Sequence, residues 1–161
     1  MKAVAIKGEK SLKVVDVPTT KSVDGSVVME VKKAGICGSD IHYWDLGAPE
    51  NLVMGHEFCG VVIDSGSRKD LKIGDRVTAL PISPCGECPA CKSGNPQYCP
   101  KTWSEAVGLS YKYPGGYAEY TSARGDMVIK VPNNITDAEV AMVEPSAVAL
   151  HAVNLADIKV G

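Results

Sequence analysis

The chain has 161 residues, 45 % of them hydrophobic and 22 % charged, a composition that excludes intrinsic disorder and gives enough length to bury well over half of the unfolded surface without disulfides. Its formal net charge is −2, with Lys and Arg scattered rather than clustered, which argues against nucleic acid or an anionic membrane as a partner. The N-terminal apolar run, Ala3 to Ile6, is too short for a signal-peptide core, and no apolar stretch approaches the roughly 20 residues that cross a bilayer. A cytoplasmic protein is therefore expected, and in that reducing compartment its six cysteines need an explanation other than disulfides.

In chain order, residues 1–33 read as short strands. Val4 and Ile6 alternate with Ala3, Ala5 and Lys7, and Leu12 to Val17 and Val27 to Val31 follow, separated by Gly or Pro breaks. The same texture returns at Gly60 to Ile63, Asp75 to Leu80, Tyr117 to Thr121 and Met127 to Val131. Regularly spaced strands of this kind predict a mainly β domain, a small barrel or sandwich. Near the C-terminus the period changes. Thr136 followed by Glu139 forms a capping box, predicting a short helix from Asp137 that ends before Pro145. Proline suits the first turn of a helix, so a second helix is expected to begin there and to carry Val148, Leu150 and Val153. The sequence closes on Lys159 to Gly161, and no strand is expected after it.

Between Pro81 and Pro100 the strand pattern stops. Cys85, Cys88, Cys91 and Cys99 form C-x2-C-x2-C-x7-C. The C-x2-C spacing lets two thiolates meet one tetrahedral ion, and four sulfurs make the closed shell that structural zinc prefers. An iron–sulfur site and a pair of disulfides are the alternatives, although the run departs from the ferredoxin pattern.

Cys37 and Cys59 remain, with the three histidines His42, His56 and His151. Cys37 follows a strand in a turn flanked by glycines, and His56 and Glu57 precede another strand. A thiolate, an imidazole and a carboxylate would leave a fourth coordination position for water or substrate, as catalytic zinc requires. Each residue alone is more often an ordinary core or polar residue, and only the fold can make them converge.

The segments GICGSDIHYW (35–44), GHE (55–57), GDRV (74–77), the four-cysteine lobe, GGYAEY (115–120) and EPSAVALHA (144–152) resemble, in order and spacing, the zinc-dependent medium-chain alcohol and polyol dehydrogenases. The resemblance covers nearly the whole chain. It implies that residues 1–161 form the GroES-like catalytic domain, a partly open β-barrel with a zinc lobe at about 81–100 and C-terminal helices at about 136–158. It also implies Cys37 and His56 as catalytic-zinc ligands, with Glu57 as the carboxylate that binds the metal or exchanges with its water. Glu144 matches a position that is a third cysteine ligand of the catalytic zinc in liver-type alcohol dehydrogenases and a glutamate in polyol-type ones, which implies Glu144 as a further catalytic and zinc-site residue. Ser39 and His42 resemble the family's proton relay, and Cys59 matches no functional position and reads as core.

By this resemblance the activity would be NAD- or NADP-linked interconversion of a polyol or secondary alcohol and its ketone. One catalytic and one structural zinc are implied, together with a small-molecule alcohol or polyol substrate and a homo-oligomeric full-length enzyme. CGSDIHYW and Glu144-Pro145 look closest to sorbitol-type dehydrogenases. The sequence contains no G-x-G, so the Rossmann domain that would hold the nicotinamide is expected to be absent and the 161-residue chain alone to be inactive. A stand-alone zinc-binding or interaction module is the competing reading. It has no use for Ser39 and His42. A thiol–disulfide redox protein would want an exposed C-x-x-C beside a βαβ pattern, which is missing.

Overall fold

The computed structural model of the chain describes residues 1–156. Seven strands and four short helices alternate along it: β1 (Lys2–Ile6), β2 (Leu12–Asp16), β3 (Val27–Ala34), α1 (Gly38–Leu46), β4 (Phe58–Asp64), β5 (Arg76–Ala79), α2 (Pro89–Lys92), β6 (Tyr120–Ala123), β7 (Val128–Lys130), α3 (Asp137–Ala141) and α4 (Val143–Leu155). The expected mainly β architecture is present. β1 and β2 form an antiparallel hairpin, and the other five strands form an antiparallel sheet in the order β6-β3-β4-β5-β7. Among the described residues the sheet stays open, without closing into a barrel.

The core lies on one face of that sheet, where Val27 and Met29 of β3, Phe58 and Val62 of β4, Val77 and Ala79 of β5 and Val128 of β7 pack with Val107 and Tyr113. These alternate positions are the ones a pleated strand turns to the same side. Cys59 turns to the opposite side and is fully buried with Val131 and Val140, as a core residue.

One register positions the site. β3 and β4 are antiparallel with Ala34 opposite Phe58, so the residues leaving β3 and those entering β4 sit side by side. The amide of Gly35 continues the ladder by donating to the carbonyl of Glu57 at 2.7 Å. Cys37 and His56 are thereby brought to one end of the sheet.

The Thr136–Glu139 capping box forms: the Glu139 amide donates to Thr136 Oγ1 at 3.2 Å, and Glu139 Oε2 accepts from the Thr136 amide at 2.6 Å. α4 begins at Val143, two residues before Pro145, which therefore occupies the first turn where no amide donor is required of it. Val148, Leu150 and Val153 are exposed on α4. The strand expected at Tyr117 to Thr121 begins at Tyr120, because Ala118 bridges to Ala3 of the hairpin. The expected helical reach to about 158 and the final residues 159–161 lie outside the described residues. Among the described residues no helix is long and apolar enough to cross a membrane.

Candidate functional site

The four cysteines of the 81–100 lobe converge. Cys88 Sγ lies 3.6 Å from Cys91 Sγ, and Cys85 Sγ lies 3.6 Å from Cys99 Sγ. A disulfide requires about 2.05 Å, so these pairs are not bonded. A tetrahedron with metal–sulfur arms of about 2.3 Å has edges of about 3.8 Å, close to the observed spacing. The peptide wraps the cluster with its own donors: the amides of Cys85 and Lys101 point at Cys99 Sγ, each at 3.4 Å, and that of Cys88 at Cys85 Sγ, also at 3.4 Å. The Cys85 amide leads the causes that hold the Cys99 thiol down to about 6, and the Glu87 amide leads those that lower Cys85. Burial pushes Cys91 up to about 11. Thiol ligands deprotonate when a cation arrives, and the amides aimed at Cys85 and Cys99 favour their thiolates.

The second constellation also converges. Ligand atoms of Cys37, His56 and Glu57 all lie within 4.8 Å of one another. His56 and Glu57 are buried at 4 % and 6 % exposure, and a buried carboxylate and imidazole need compensation. Cys37 caps the N-terminus of α1 with extended backbone (φ −80°, ψ 155°), at the positive end of the helix dipole. Gly35 makes room for the carboxylate, since a Cβ there would lie 2.6 Å from Glu57 Oε2. Gly55, at φ +98°, sets the turn into His56.

Around this group Ser39 Oγ, Asp40 Oδ1 and His56 Nδ1 are buried without a hydrogen-bond partner among the described residues. The Asp40 carboxylate faces His56 Nδ1 at 3.9 Å. Ser39, His56 and Glu144 line one cavity of about 360 Å³ with Tyr43, Pro81, Trp103 and Leu109. Glu144, on α4, is therefore on the same cavity as His56 but outside the three-residue ligand group. Burial pushes its carboxyl above the usual range, and His56 partly offsets that rise. His42 is exposed on α1, one turn beyond Ser39, and no hydrogen bond connects them.

Asp40 and Tyr117 escape a reading of the sequence as contributors to this site. Asp40 had one available signal, its place three residues after Cys37 at the third position of a helix, where a carboxylate reaches back to the cap amide. It accepts from the Cys37 amide at 2.9 Å. Burial, followed by the bond to Asp40, pushes the Tyr117 phenol far above its ordinary range.

Residues 23–133 match the family model described as alcohol dehydrogenase GroES-like domain. The chain belongs to that family. Among family relatives, it is 36 % identical over 164 residues to D-xylulose reductase A of Aspergillus oryzae, covering 97 % of this chain and 45 % of the relative. It is 34 % identical over 159 residues to sorbitol dehydrogenase of Bacillus subtilis, covering 94 % and 44 %. The structure of acetophenone reductase from Geotrichum candidum in complex with NAD superposes with a TM-score of 0.83 at 34 % identity, covering 98 % of this chain and 48 % of that one. The chain spans less than half the length of these relatives.

Proposed function

We propose that this chain is the catalytic domain of a zinc-dependent, NAD- or NADP-linked dehydrogenase that interconverts a polyol or secondary alcohol and its ketone. The observation that carries the reading is the open donor set of Cys37, His56 and Glu57 beside a cavity that also receives Ser39 and Glu144. The names of the relatives, a xylulose reductase, a sorbitol dehydrogenase and a ketone reductase holding NAD, support the substrate class. In this reading the chain holds two zinc ions, a structural one in the Cys85/Cys88/Cys91/Cys99 lobe and a catalytic one at Cys37, His56 and Glu57. The donor chemistry fits: four thiolates close a shell, whereas three mixed ligands leave it open.

Zinc, when bound at the open site, supplies Lewis-acid polarisation of a substrate oxygen. The chain's own residues supply the rest. Ser39 Oγ, buried without a partner, is free to accept the proton of a substrate hydroxyl while donating its own onward. His42, one turn further along α1 and exposed, is the group through which that proton reaches solvent, with an intermediary bridging the gap between them. Glu144, on the same cavity, can hydrogen-bond a second hydroxyl of a polyol. Tyr43, Trp103 and Leu109 form the apolar walls that keep bulk water from the reacting carbon. Hydride acceptance belongs to a nicotinamide, and this sequence has no glycine-rich turn to cradle its pyrophosphate.

The test is an oxidation assay with NAD and NADP over a panel of xylitol, sorbitol, 2,3-butanediol and monohydric alcohols. It is run on the longest translation product that carries this sequence and on the 161-residue chain. Turnover of a polyol by the former, lost in His56→Ala, with none by the 161-residue chain, is the expected result. Unchanged turnover in His56→Ala would remove the proposed site from the chemistry.

A further inference from the structure

Behind the Cys37/His56/Glu57 group, three chain segments meet at one phenol. The strap 115–117 is hydrogen-bonded to the segment that carries His56: the Gly115 amide donates to Val53 O at 2.9 Å, that of Gly116 to Gly55 O at 2.6 Å and that of Tyr117 to Met54 O at 3.0 Å. The strap packs directly on Gly55, where the lack of a side chain makes room for the ring: a Cβ there would lie 2.7 Å from Tyr117 Cδ1. From this fixed base the Tyr117 hydroxyl reaches Asp40 Oδ2 at 2.8 Å and the carbonyl of Gly35 at 2.9 Å, so its single proton is shared between the helix that follows Cys37 and the turn that precedes it.

Asp40 is 2 % exposed, and among the described residues its one salt-bridge neighbour is His56. A buried carboxylate persists only where donors surround it. Its Oδ2 accepts from Tyr117 Oη and from the Cys37 amide at 2.9 Å, which fills that oxygen. Among the described residues Oδ1 has no hydrogen-bond partner, and neither does His56 Nδ1, 3.9 Å away. Saturating one oxygen thus leaves the other 3.9 Å from the imidazole Nδ1, close enough for charge attraction and beyond hydrogen-bond reach. A carboxylate so held favours a proton on Nδ1 and leaves Nε2 as a lone pair, the state in which a histidine binds a metal.

We propose that Tyr117 is a positioning residue for the metal group: its hydroxyl fixes the Asp40 carboxylate, which orients and polarises His56 through Nδ1. The proposal rests on the reading of Cys37, His56 and Glu57 as metal ligands. A phenylalanine would fill the same space and supply no proton, so the ring's packing and the hydroxyl's role separate cleanly.

The experiment is zinc binding to the 161-residue chain, measured by competition with a chromophoric chelator. In the unsubstituted chain two classes of site are expected. Tyr117→Phe should weaken the looser class by about tenfold, the lower end of what loss of an outer-shell partner costs, and leave the tighter class unchanged. Asp40→Asn should weaken the same class, because an amide offers one acceptor oxygen where the carboxylate offers two. In the double variant the loss should not exceed that of Asp40→Asn alone, since both substitutions break one chain of contacts. Nitrogen-15 shifts of His56 in the metal-free unsubstituted chain should report the Nδ1–H tautomer, a readout that needs no variant to fold. Unchanged looser-class affinity in Tyr117→Phe, multiplying effects in the double variant, or an Nε2–H tautomer would overturn the proposal. Absence of the looser class from the unsubstituted chain would instead defeat the ligand assignment itself, and the proposal with it.

Discussion

Gly35 and Glu57 face each other across the exit of β3 and the entry of β4, with the Gly35 amide donating to the Glu57 carbonyl at 2.7 Å and no room for a Cβ between that residue and the glutamate side chain. A methyl group 2.6 Å from Oε2 would force the carboxylate aside. Gly35→Ala is therefore expected to lower zinc affinity at the Cys37/His56/Glu57 site by at least about tenfold, while the four-cysteine lobe keeps its metal. Chelator-competition titration of both sites checks this. Equal weakening of the two would mean that the substitution acts on the fold and not on the carboxylate.

On the proposed two-zinc reading, the two groups differ in what they would do for folding. Among the described residues the 81–100 lobe contributes Cys99 as its only buried hydrophobic side chain, so a metal there would supply folding energy that the lobe's small core does not. The Cys37 group sits on a hydrogen-bonded sheet end with its own packing. Cys88→Ser should therefore lower the melting temperature more than Cys37→Ser does, in scanning calorimetry of the zinc-loaded protein. Equal losses would contradict the division into a structural and an open site.

Arg68 ties the turn after β4 to the strand at the sheet's edge. Its Nη1 donates to the carbonyls of Gly125 and Val128 at 2.6 and 2.8 Å, and its other nitrogens hold Asp70. Arg68→Ala should destabilise the protein by about 2 kcal/mol, two charge-assisted bonds to main-chain carbonyls being lost, whereas Asp70→Ala should cost far less because that carboxylate is exposed. Arg68 holds the Asp70 carboxyl down to about 2. A depressed carboxyl contributes above its ordinary range and loses that contribution as pH falls toward 2, so the difference between parent and Asp70→Asn should be flat from pH 8 to 5 and shrink only below about pH 4. Urea melts across that range test the sign.

The strands were legible because their apolar residues alternate, and the Thr136–Glu139 cap because both partners of the box are local in sequence. The cysteine lobe was legible because its ligands lie within a few residues of one another. Helix α1 was not. Its single buried residue is the polar Asp40, while Ile41 and Leu46 are exposed, so there is no apolar stripe to read; caps at Cys37 and Gly47 hold it instead. The start of α4 was misplaced by two residues because proline fits several positions of a first turn. Tyr117 was illegible as a site residue because its role depends on contacts 77 and 82 residues away in sequence, which only the strap's pairing with residues 53–55 creates. Asp40 shares that dependence, since the imidazole it faces comes from another segment.

Elemental analysis of the purified 161-residue chain before and after mild chelation tests the central claim most directly. A closed four-thiolate shell should hold its ion against a chelator that empties an open three-ligand site. Zinc at about two equivalents, falling to about one after chelation and to about one without chelation in His56→Ala, is the predicted result. Iron with visible charge-transfer absorption, or a second equivalent that His56→Ala leaves in place, would contradict it.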